Sequence, residues 1–341
     1  MNEPILEVQH LKTYFYLGTD MTTELRAVDD LSYTLHKGEC MAIIGESGSG
    51  KSVSALSILR LVSYPPGLIV GGKILFHGQD LMEMDDEEIM KIRGSKISMI
   101  FQEPSSALNP VVTVGKQIVE NLLRHTSISK EDAWKRAVEL LDEVGIPNPE
   151  QRVNQYPFEF SGGMQQRSMI AMAMSCNPEI LICDEPTTAL DVTVQAQVLE
   201  QLDKLRETHD TALIFITHNL GVVARYADTV KIMYGGKVIE DGPTDAIFHV
   251  PHHPYTLGLI QAVPRLDLPR SHGLHTIPGE PPDMSKIPEN CCAFAPRCKY
   301  ATEECRTKRP QPETVGEGHH CSCFHMDLLE DERNEVVRSH G

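Results

Sequence analysis

The sequence predicts an α/β fold that ends in a loop-rich, cysteine-containing C-terminal extension. Three observations support this prediction. An apolar strand leads through a glycine-rich turn into a helix within residues 40–61, and further continuous apolar runs are of the kind that a parallel sheet buries on both faces. A proline-rich segment that carries most of the cysteines follows residue 242, and this composition is typical of loops. The length of 341 residues allows one large domain or two modest ones.

The elements are predicted in the following order along the chain. Short β-rich runs separated by turns predict antiparallel strands at the N-terminal end. The predicted strands are 6–11, 31–35, 40–44, 73–76, 97–101, 180–183 and 212–216. A helix is expected at 52–61, and apolar spacing from 113 to 144 predicts a helical insertion. We place the first domain at 1–262, with a helical subdomain at about 105–165, and the extension at 263–341.

The charge balance excludes several classes of partner. The chain has 31 Lys and Arg against 48 Asp and Glu, a net charge of −17. Phosphate backbones and anionic lipid surfaces are bound through basic residues, so binding to nucleic acid is not expected. No apolar run has the length of a membrane span, and the N-terminal residues lack a signal-peptide pattern. We expect a cytosolic protein whose link to a membrane runs through a protein partner.

A phosphate-binding loop is predicted where strand 40–44 meets the following helix. Its residues are Gly45, Glu46, Ser47, Gly48, Ser49, Gly50, Lys51 and Ser52. Glycines let the backbone curl so that its N–H groups face the β- and γ-phosphates of a nucleotide. Lys51 adds a positive charge, and the Ser52 hydroxyl is a ligand for Mg²⁺. A glycine- and serine-rich linker is the alternative, but a linker has no reason to lie between a strand and a helix.

Two acids close the buried strand that begins at residue 180. Asp184 is placed to accept a Mg²⁺ water shell, and Glu185 to polarise the water that attacks the γ-phosphorus. Together they indicate hydrolysis. His218 ends a third apolar run; by itself it would usually be a structural hydrogen-bonding residue.

A second anion-binding helix start is predicted at Ser161, Gly162 and Gly163, with Ser161 as the N-cap of a helix that runs to Met174. The chain thus has two phosphate-recognising helix starts but one lysine-bearing loop. A nucleotide held between two subunits explains both.

These motifs resemble those of the nucleotide-binding subunit of an ATP-binding cassette (ABC) transporter, over about residues 4–265. The resemblance implies a P-loop NTPase fold with a RecA-like core, an antiparallel β subdomain and a helical insertion, which binds ATP and Mg²⁺. By it, residues 45–52 are the Walker A loop and residues 161–165, including Gln165, the signature. Asp184 is the Walker B acid, Glu185 the catalytic carboxylate and His218 the switch histidine at the γ-phosphate.

The resemblance implies three further assignments. Gln102 links Mg²⁺ to the transmembrane partner and is a candidate for both the catalytic and the metal site. Ala189-Leu190-Asp191 touches the opposite subunit, with Asp191 near the nucleotide. An aromatic residue near the first strand stacks on adenine; we choose Phe15, with Tyr14 and Tyr16 as alternatives.

The motifs at 100–110, 251–256 and 277–282 resemble the dipeptide/oligopeptide importer branch, and nickel importers share them. In that branch two related ATPase subunits usually pair as a heterodimer under two permease subunits. An extracytoplasmic binding protein delivers the substrate to these permeases. The expected location is therefore the cytoplasmic face of the membrane, as a peripheral subunit. Import of nickel or another small solute is one alternative, and a soluble ABC-type ATPase that acts on DNA, RNA or ribosomes is another.

Six cysteines lie between residues 291 and 323, which in a cytosolic protein indicates metal rather than disulfides. Cys292, Cys298, Cys305 and Cys323 match the tail of the importer branch, where similar thiolates hold a [4Fe–4S] cluster. Four thiolates suit a cluster or Zn²⁺, and free thiols remain a third reading. Cys291 and Cys321 are spare thiols, and either could replace its neighbour as a ligand. The histidines at 252, 253, 319, 320 and 325 are expected to be solvated.

Overall fold

The structure is a computed structural model that describes residues 3–18, 21–187, 190, 192–263 and 275–329. The described chain divides into two compact units. Unit 1 comprises residues 3–6, 35–40 and 76–216, and unit 2 comprises residues 7–34, 41–75 and 217–329.

Strands and helices are numbered here in chain order. The strands are β1 (Pro4–Leu17), β2 (Thr23–His36), β3 (Cys40–Ile44), β4 (Gly67–Phe76), β5 (Gln79–Asp80), β6 (Ile97–Ile100), β7 (Ile180–Asp184), β8 (Ala212–Thr217), β9 (Thr229–Tyr234), β10 (Lys237–Pro243), β11 (Glu313–Gly316) and β12 (His319–Cys321). The helices are α1 (Lys51–Ile58), α2 (Asp86–Ile92), α3 (Pro104–Ala107), α4 (Val114–His125), α5 (Lys130–Glu143), α6 (Pro149–Arg152), α7 (Gly162–Met174), α8 (Val192–His209), α9 (Leu220–Tyr226), α10 (Thr244–His249), α11 (Pro254–Gln261) and α12 (Glu303–Thr307).

Unit 1 contains three parallel strands in the order β6, β7 and β8, with Ile97 opposite Ile180 and Ile180 opposite Ala212. Every residue of these strands is buried, as expected for a parallel sheet that is covered on both faces. Helices α4, α5 and α7 pack against one another. The apolar spacing between residues 113 and 144 therefore produces two helices, α4 and α5.

Unit 2 contains the sheet order β11, β12, β10, β9 and β3, in which β3 and β9 are parallel and the other pairs antiparallel. Strands β2, β1 and β4 lie side by side in a second sheet. The α/β fold that the sequence predicts is confirmed. Each predicted strand is found, and β1 and β2 are considerably longer than the predicted runs.

The described part of the C-terminal segment is largely loop, but two of its short strands join the sheet of unit 2. Strand β12 pairs with β10, so that Cys321 lies opposite Glu240, and Phe294 belongs to the same buried core as Tyr234 and Tyr255. The segment is thus an integral part of unit 2. Its short polar strands carry no apolar alternation, and for this reason the sequence pattern did not predict them.

Candidate functional site: phosphate loop, acidic strand end and cysteine cavity

The phosphate-binding loop of unit 2 connects the fully buried strand β3 to helix α1. Two of its glycines lie directly against neighbouring backbone. A Cβ on Gly45 would come within 2.3 Å of the Met233 carbonyl oxygen, and one on Gly50 within 2.1 Å of the Ala27 carbonyl oxygen. Gly50 also has a φ of 101°, which L residues rarely adopt. Any side chain at these two positions would force the loop out of its curl.

Lys51 folds back over this loop. Its Nζ donates hydrogen bonds to the carbonyl oxygens of Gly45 at 2.7 Å and Glu46 at 2.9 Å, and the residue is buried. Ser49 is buried too, and its hydroxyl has no hydrogen-bond partner within the described residues. A buried ammonium and an unsatisfied hydroxyl on one loop fit a phosphate group, which accepts hydrogen bonds from both.

In unit 1, Asp184 and Glu185 lie at the end of β7, as predicted. Asp184 is buried, and Glu185 is half-buried with its backbone N–H donating to the Ile216 carbonyl at 2.9 Å. The φ of Glu185 is 46°, in the left-handed region. Gln102 follows β6 directly and donates a 3.2 Å hydrogen bond from its Nε2 to the Glu185 carboxylate. The structure therefore brings Gln102 and Glu185 together.

Ser161 caps helix α7 as predicted, because its hydroxyl accepts the Met164 N–H at 3.4 Å. Gly162 has open space around its Cα, whereas a Cβ on Gly163 would lie 3.0 Å from Val194 Cγ1. The Nε2 of Gln165 donates to the Pro157 carbonyl at 2.8 Å, so this amide nitrogen already has a partner next to the helix start. This bond joins helix α7 to the chain segment that precedes it.

His218 belongs to unit 2 and is exposed at the entrance to α9. The next residue, Asn219, caps that helix by accepting the N–H groups of Gly221 and Val222. Ala189 and Asp191, which were predicted to meet an opposite subunit, lie outside the described residues.

The three candidate adenine-stacking residues on β1 are all half-buried. Phe15 packs its ring against Gly67, where a Cβ would lie 2.9 Å from Phe15 Cε1. The Tyr14 hydroxyl donates to Asp29 at 2.9 Å, and burial together with this carboxylate raises the pKa of Tyr14. The Tyr14 hydroxyl thus already has a hydrogen-bond partner in unit 2. Phe15 stays the predicted adenine-stacking residue.

Two residues that hold the phosphate loop were not predicted from the sequence. The Glu46 N–H donates to the Tyr255 hydroxyl at 2.9 Å, and Arg297 forms an ion pair with the Glu46 carboxylate and contacts Tyr234. The sequence offered one signal. Tyr255 and Arg297 both lie inside the segments that resemble the importer branch, but nothing in the sequence linked them to the loop.

The four predicted cluster cysteines, Cys292, Cys298, Cys305 and Cys323, line one cavity in unit 2, next to Phe294. The cavity has a volume of about 10 Å³, room for one water molecule. Burial raises the pKa of Cys292 to about 11 and that of Cys323 to about 12, so these thiols are protonated at neutral pH.

No group of three or more His, Cys, Asp or Glu side chains in the described part of the chain is arranged to hold a single metal ion. The predicted metal site is therefore not supported as it stands. The histidine prediction is wrong for two residues. His253 and His319 are buried around the fully buried Glu240, with His319 Nε2 at 2.9 Å from its carboxylate.

Two family models match the sequence: ABC transporter over residues 28–188, and oligopeptide/dipeptide transporter, C-terminal region, over residues 239–305. The chain is 49% identical to the oligopeptide transport ATP-binding protein OppD of Bacillus subtilis (strain 168), over 98% of this chain and 93% of that protein. It is 48% identical to the dipeptide transport ATP-binding protein DppD of the same strain, over 98% of this chain and 97% of that protein.

Among solved structures, the fold is similar to the dimeric ATP-binding cassette MJ0796 in a post-hydrolysis state with ADP and Pi. That match has a TM-score of 0.63 and 27% identity over 70% of this chain and 99% of that chain. None of the described helices is both long and apolar enough to span a membrane.

Proposed function

Because the chain belongs to the oligopeptide/dipeptide branch of the ABC transporter ATP-binding proteins, we propose that it binds and hydrolyses ATP to power the import of di- and oligopeptides through membrane permeases. The phosphate loop carries this proposal, since Lys51 and the unsatisfied Ser49 hydroxyl lie on one glycine-shaped turn. The oligopeptide/dipeptide C-terminal match supports peptides over nickel or another small solute.

In the proposed mechanism, the loop and Lys51 hold the β- and γ-phosphates. Ser52, Asp184 and Gln102 are the residues that would hold Mg²⁺, which when bound would supply neutralising charge for the phosphates. Glu185 accepts a proton from the attacking water, and Gln102 orients its carboxylate through their hydrogen bond. His218 contacts the γ-phosphate, and Phe15 stacks on adenine.

Replacement of Lys51 tests the phosphate site. Lys51→Ala removes the charge that faces the phosphates, so equilibrium binding of MgATP to the full chain should fall at least about tenfold. The exposed Lys116 on α4 provides a matched control, and Lys116→Ala should bind MgATP as the unaltered chain does. Unchanged binding by Lys51→Ala would refute the assignment of the loop.

The helix start at Ser161 supports assembly of two ATPase subunits around the nucleotide. We propose that the phosphates of an ATP bound to one subunit meet Ser161, Gly162, Gly163 and Gln165 of the other, with Asp191 beside them. A related ATPase subunit is the proposed partner. Ser161→Arg should keep ATP binding by the isolated chain and prevent ATP-dependent dimer formation, which gel filtration with MgATP measures.

The assembly that we propose places this subunit on the cytoplasmic face of the membrane, under two permease subunits that receive peptides from an extracytoplasmic binding protein. The reconstituted transporter in liposomes tests substrate and partners together. Labelled peptide should enter in an ATP-dependent way and labelled Ni²⁺ should not; uptake of Ni²⁺ alone would favour the alternative.

We also propose that the cysteine cavity binds a [4Fe–4S] cluster, with zinc as the alternative. The donor set supports this, since four soft thiols converge on one buried space. In such a cluster each iron has its own thiolate, so the four sulfurs do not need to converge on a single ion. Cluster binding requires the thiols to deprotonate. It also requires them to move apart, because the cavity has a volume of only about 10 Å³.

Protein purified without oxygen allows a direct test of this site. Absorbance near about 400 nm with about four irons per chain, both lost in Cys298→Ser, is the expected result. Cys291→Ser is the matched control, because Cys291 lies beside the cavity residues without lining the cavity. Stoichiometric zinc without colour would identify the site as a structural zinc site. Absence of both metals would overturn the proposal of a metal site.

A further inference from the structure

Glu46, the second residue of the phosphate loop, is held by residues more than two hundred positions away in the chain. The Arg297 guanidinium contacts its carboxylate at two points, with Nη1 at 2.7 Å and Nη2 at 3.1 Å from the two oxygens. A two-point contact of this kind fixes the orientation of the carboxylate as well as its position. The Glu46 backbone is held in addition by the Tyr255 hydroxyl.

Arg297 is itself fixed by its surroundings. Its Nε donates to the Pro278 carbonyl at 2.8 Å, and its guanidinium lies 5.9 Å from the centre of the Tyr234 ring. The side chain is 7% exposed. Because these two contacts hold the guanidinium in place, little conformational entropy is lost when Arg297 binds Glu46.

The residue belongs to a short hydrogen-bonded turn at 292–298. The Arg297 N–H donates to the Phe294 carbonyl at 3.0 Å, and Phe294 packs edge-on against Tyr234 and Tyr255 at 5.2 and 5.4 Å. Cysteines of the cavity, Cys292 and Cys298, form both ends of the turn. The turn thus contacts Glu46 directly through Arg297. It also supports Glu46 indirectly, because the Phe294 ring packs against Tyr255, whose hydroxyl accepts the Glu46 N–H.

We propose that the 292–298 turn is a clamp on the phosphate loop, with Arg297 as its positioning residue, and that the C-terminal segment thereby sets the affinity for ATP. Glu46 brings a negative charge next to the place where ATP phosphates bind. Arg297 neutralises that charge and holds the loop backbone in its curl. This inference rests on ATP binding by the loop and is independent of a metal cluster.

Equilibrium binding of MgATP to the full chain tests the clamp. Arg297→Ala leaves the Glu46 carboxylate unpaired beside the phosphates, so binding should weaken about tenfold. The exposed Arg306 of the same segment supplies the control, and Arg306→Ala should bind as the unaltered chain does. Arg297→Lys keeps the charge without the two-point contact and should give an intermediate value.

A second substitution separates positioning from a general loss of structure. Glu46→Gln in the Arg297→Ala chain removes the unpaired charge, so MgATP binding should recover by several-fold, which a merely structural role of Arg297 would not produce. If Arg297→Ala lowers the melting temperature too far to be assayed, Arg297→Gln, which keeps a polar side chain but not the charge, provides the same comparison with and without Glu46→Gln.

The clamp is refuted if Arg297→Ala binds MgATP as tightly as the unaltered chain, or if Glu46→Gln restores nothing. Failure of the proposed function looks different, because the unaltered chain itself would then bind no MgATP. The ATPase measurement adds a further readout: the clamp acts on binding, so Arg297→Ala should raise KM for ATP while kcat changes less.

Discussion

The side-chain amide of Gln102 donates a 3.2 Å hydrogen bond to the carboxylate of Glu185, although 83 residues separate them in the chain. The parallel pairing of β6 with β7 brings the ends of both strands to one edge of the sheet in unit 1, and the two residues follow those ends. Glu185 adds a left-handed φ of 46° and a backbone bond to Ile216. The carboxylate that we assign to water activation is therefore held from both its backbone and its side chain.

Replacement of Glu185 by Gln should abolish turnover and spare binding. The amide keeps the size of the side chain but cannot accept a proton from water, and general base catalysis contributes about 10²–10⁴-fold. Phosphate release should fall by that factor, while MgATP binding stays unchanged and an ATP-bound dimer accumulates. The exposed Glu200 on α8 offers a control, because Glu200→Gln should leave phosphate release unaltered. Hydrolysis at the original rate would show that another group activates water.

Gln102→Ala should lower the ATPase rate. The substitution removes the amide that donates to the Glu185 carboxylate, so the carboxylate loses the group that orients it. Loss of positioning of this kind costs about tenfold to a hundredfold in rate, and phosphate release from MgATP measures it. A rate equal to that of the unaltered chain would contradict the proposed role of the contact.

The local motifs could be predicted from the sequence because their chemistry depends on adjacent residues. Lys51 follows the glycines of its own loop, and Ser161 caps the helix that starts immediately after it. The clamp could not be predicted, since Arg297 and Glu46 are 251 residues apart and only the folded chain brings them together.

The buried histidines were missed for a related reason. His253 and His319 are polar residues in a proline-rich segment, which predicts exposure, but both lie beside the fully buried Glu240. That carboxylate accepts the backbone N–H groups of His252 and His253 at 2.6 and 2.9 Å. A buried acid needs such donors, and the histidines are buried with it. A sequence pattern based on hydrophobicity contains no information about this arrangement.

Tyr255→Phe should destabilise unit 2 and leave its packing intact. The phenyl ring keeps the edge-on contacts with Tyr234 and Phe294, but the Glu46 N–H loses its acceptor. A lost hydrogen bond of this type costs about 1–3 kcal/mol when a partner stays unsatisfied. Urea unfolding of the full chain measures the free energy change, and Tyr64→Phe, at a residue that is 72% exposed, is the control. Equal stability of the two variants would mean that water replaces the hydroxyl.

The ion pairs of Glu179 in unit 1 should make stability depend on pH. Burial alone would raise the pKa of Glu179, but hydrogen bonds from Lys96 at 2.8 Å and His77 at 2.7 Å outweigh it, and the pKa is lowered. A carboxylate with a lowered pKa stabilises the fold above the ordinary Glu value of about 4.3, and this contribution is lost as pH falls through the lower folded value.

Glu179→Gln removes that contribution at every pH. At pH 7 the variant should therefore be less stable than the unaltered chain by about 1 kcal/mol, since the pair is partly exposed. The difference should shrink as pH falls below about 4.3, where the unaltered chain also begins to lose the charge. Urea unfolding at pH 7 and pH 4 measures both values, and the exposed Glu120 on α4 serves as control through Glu120→Gln. A difference that is equal at the two pH values would assign the effect of Glu179 to packing, because only the ionised carboxylate attracts Lys96.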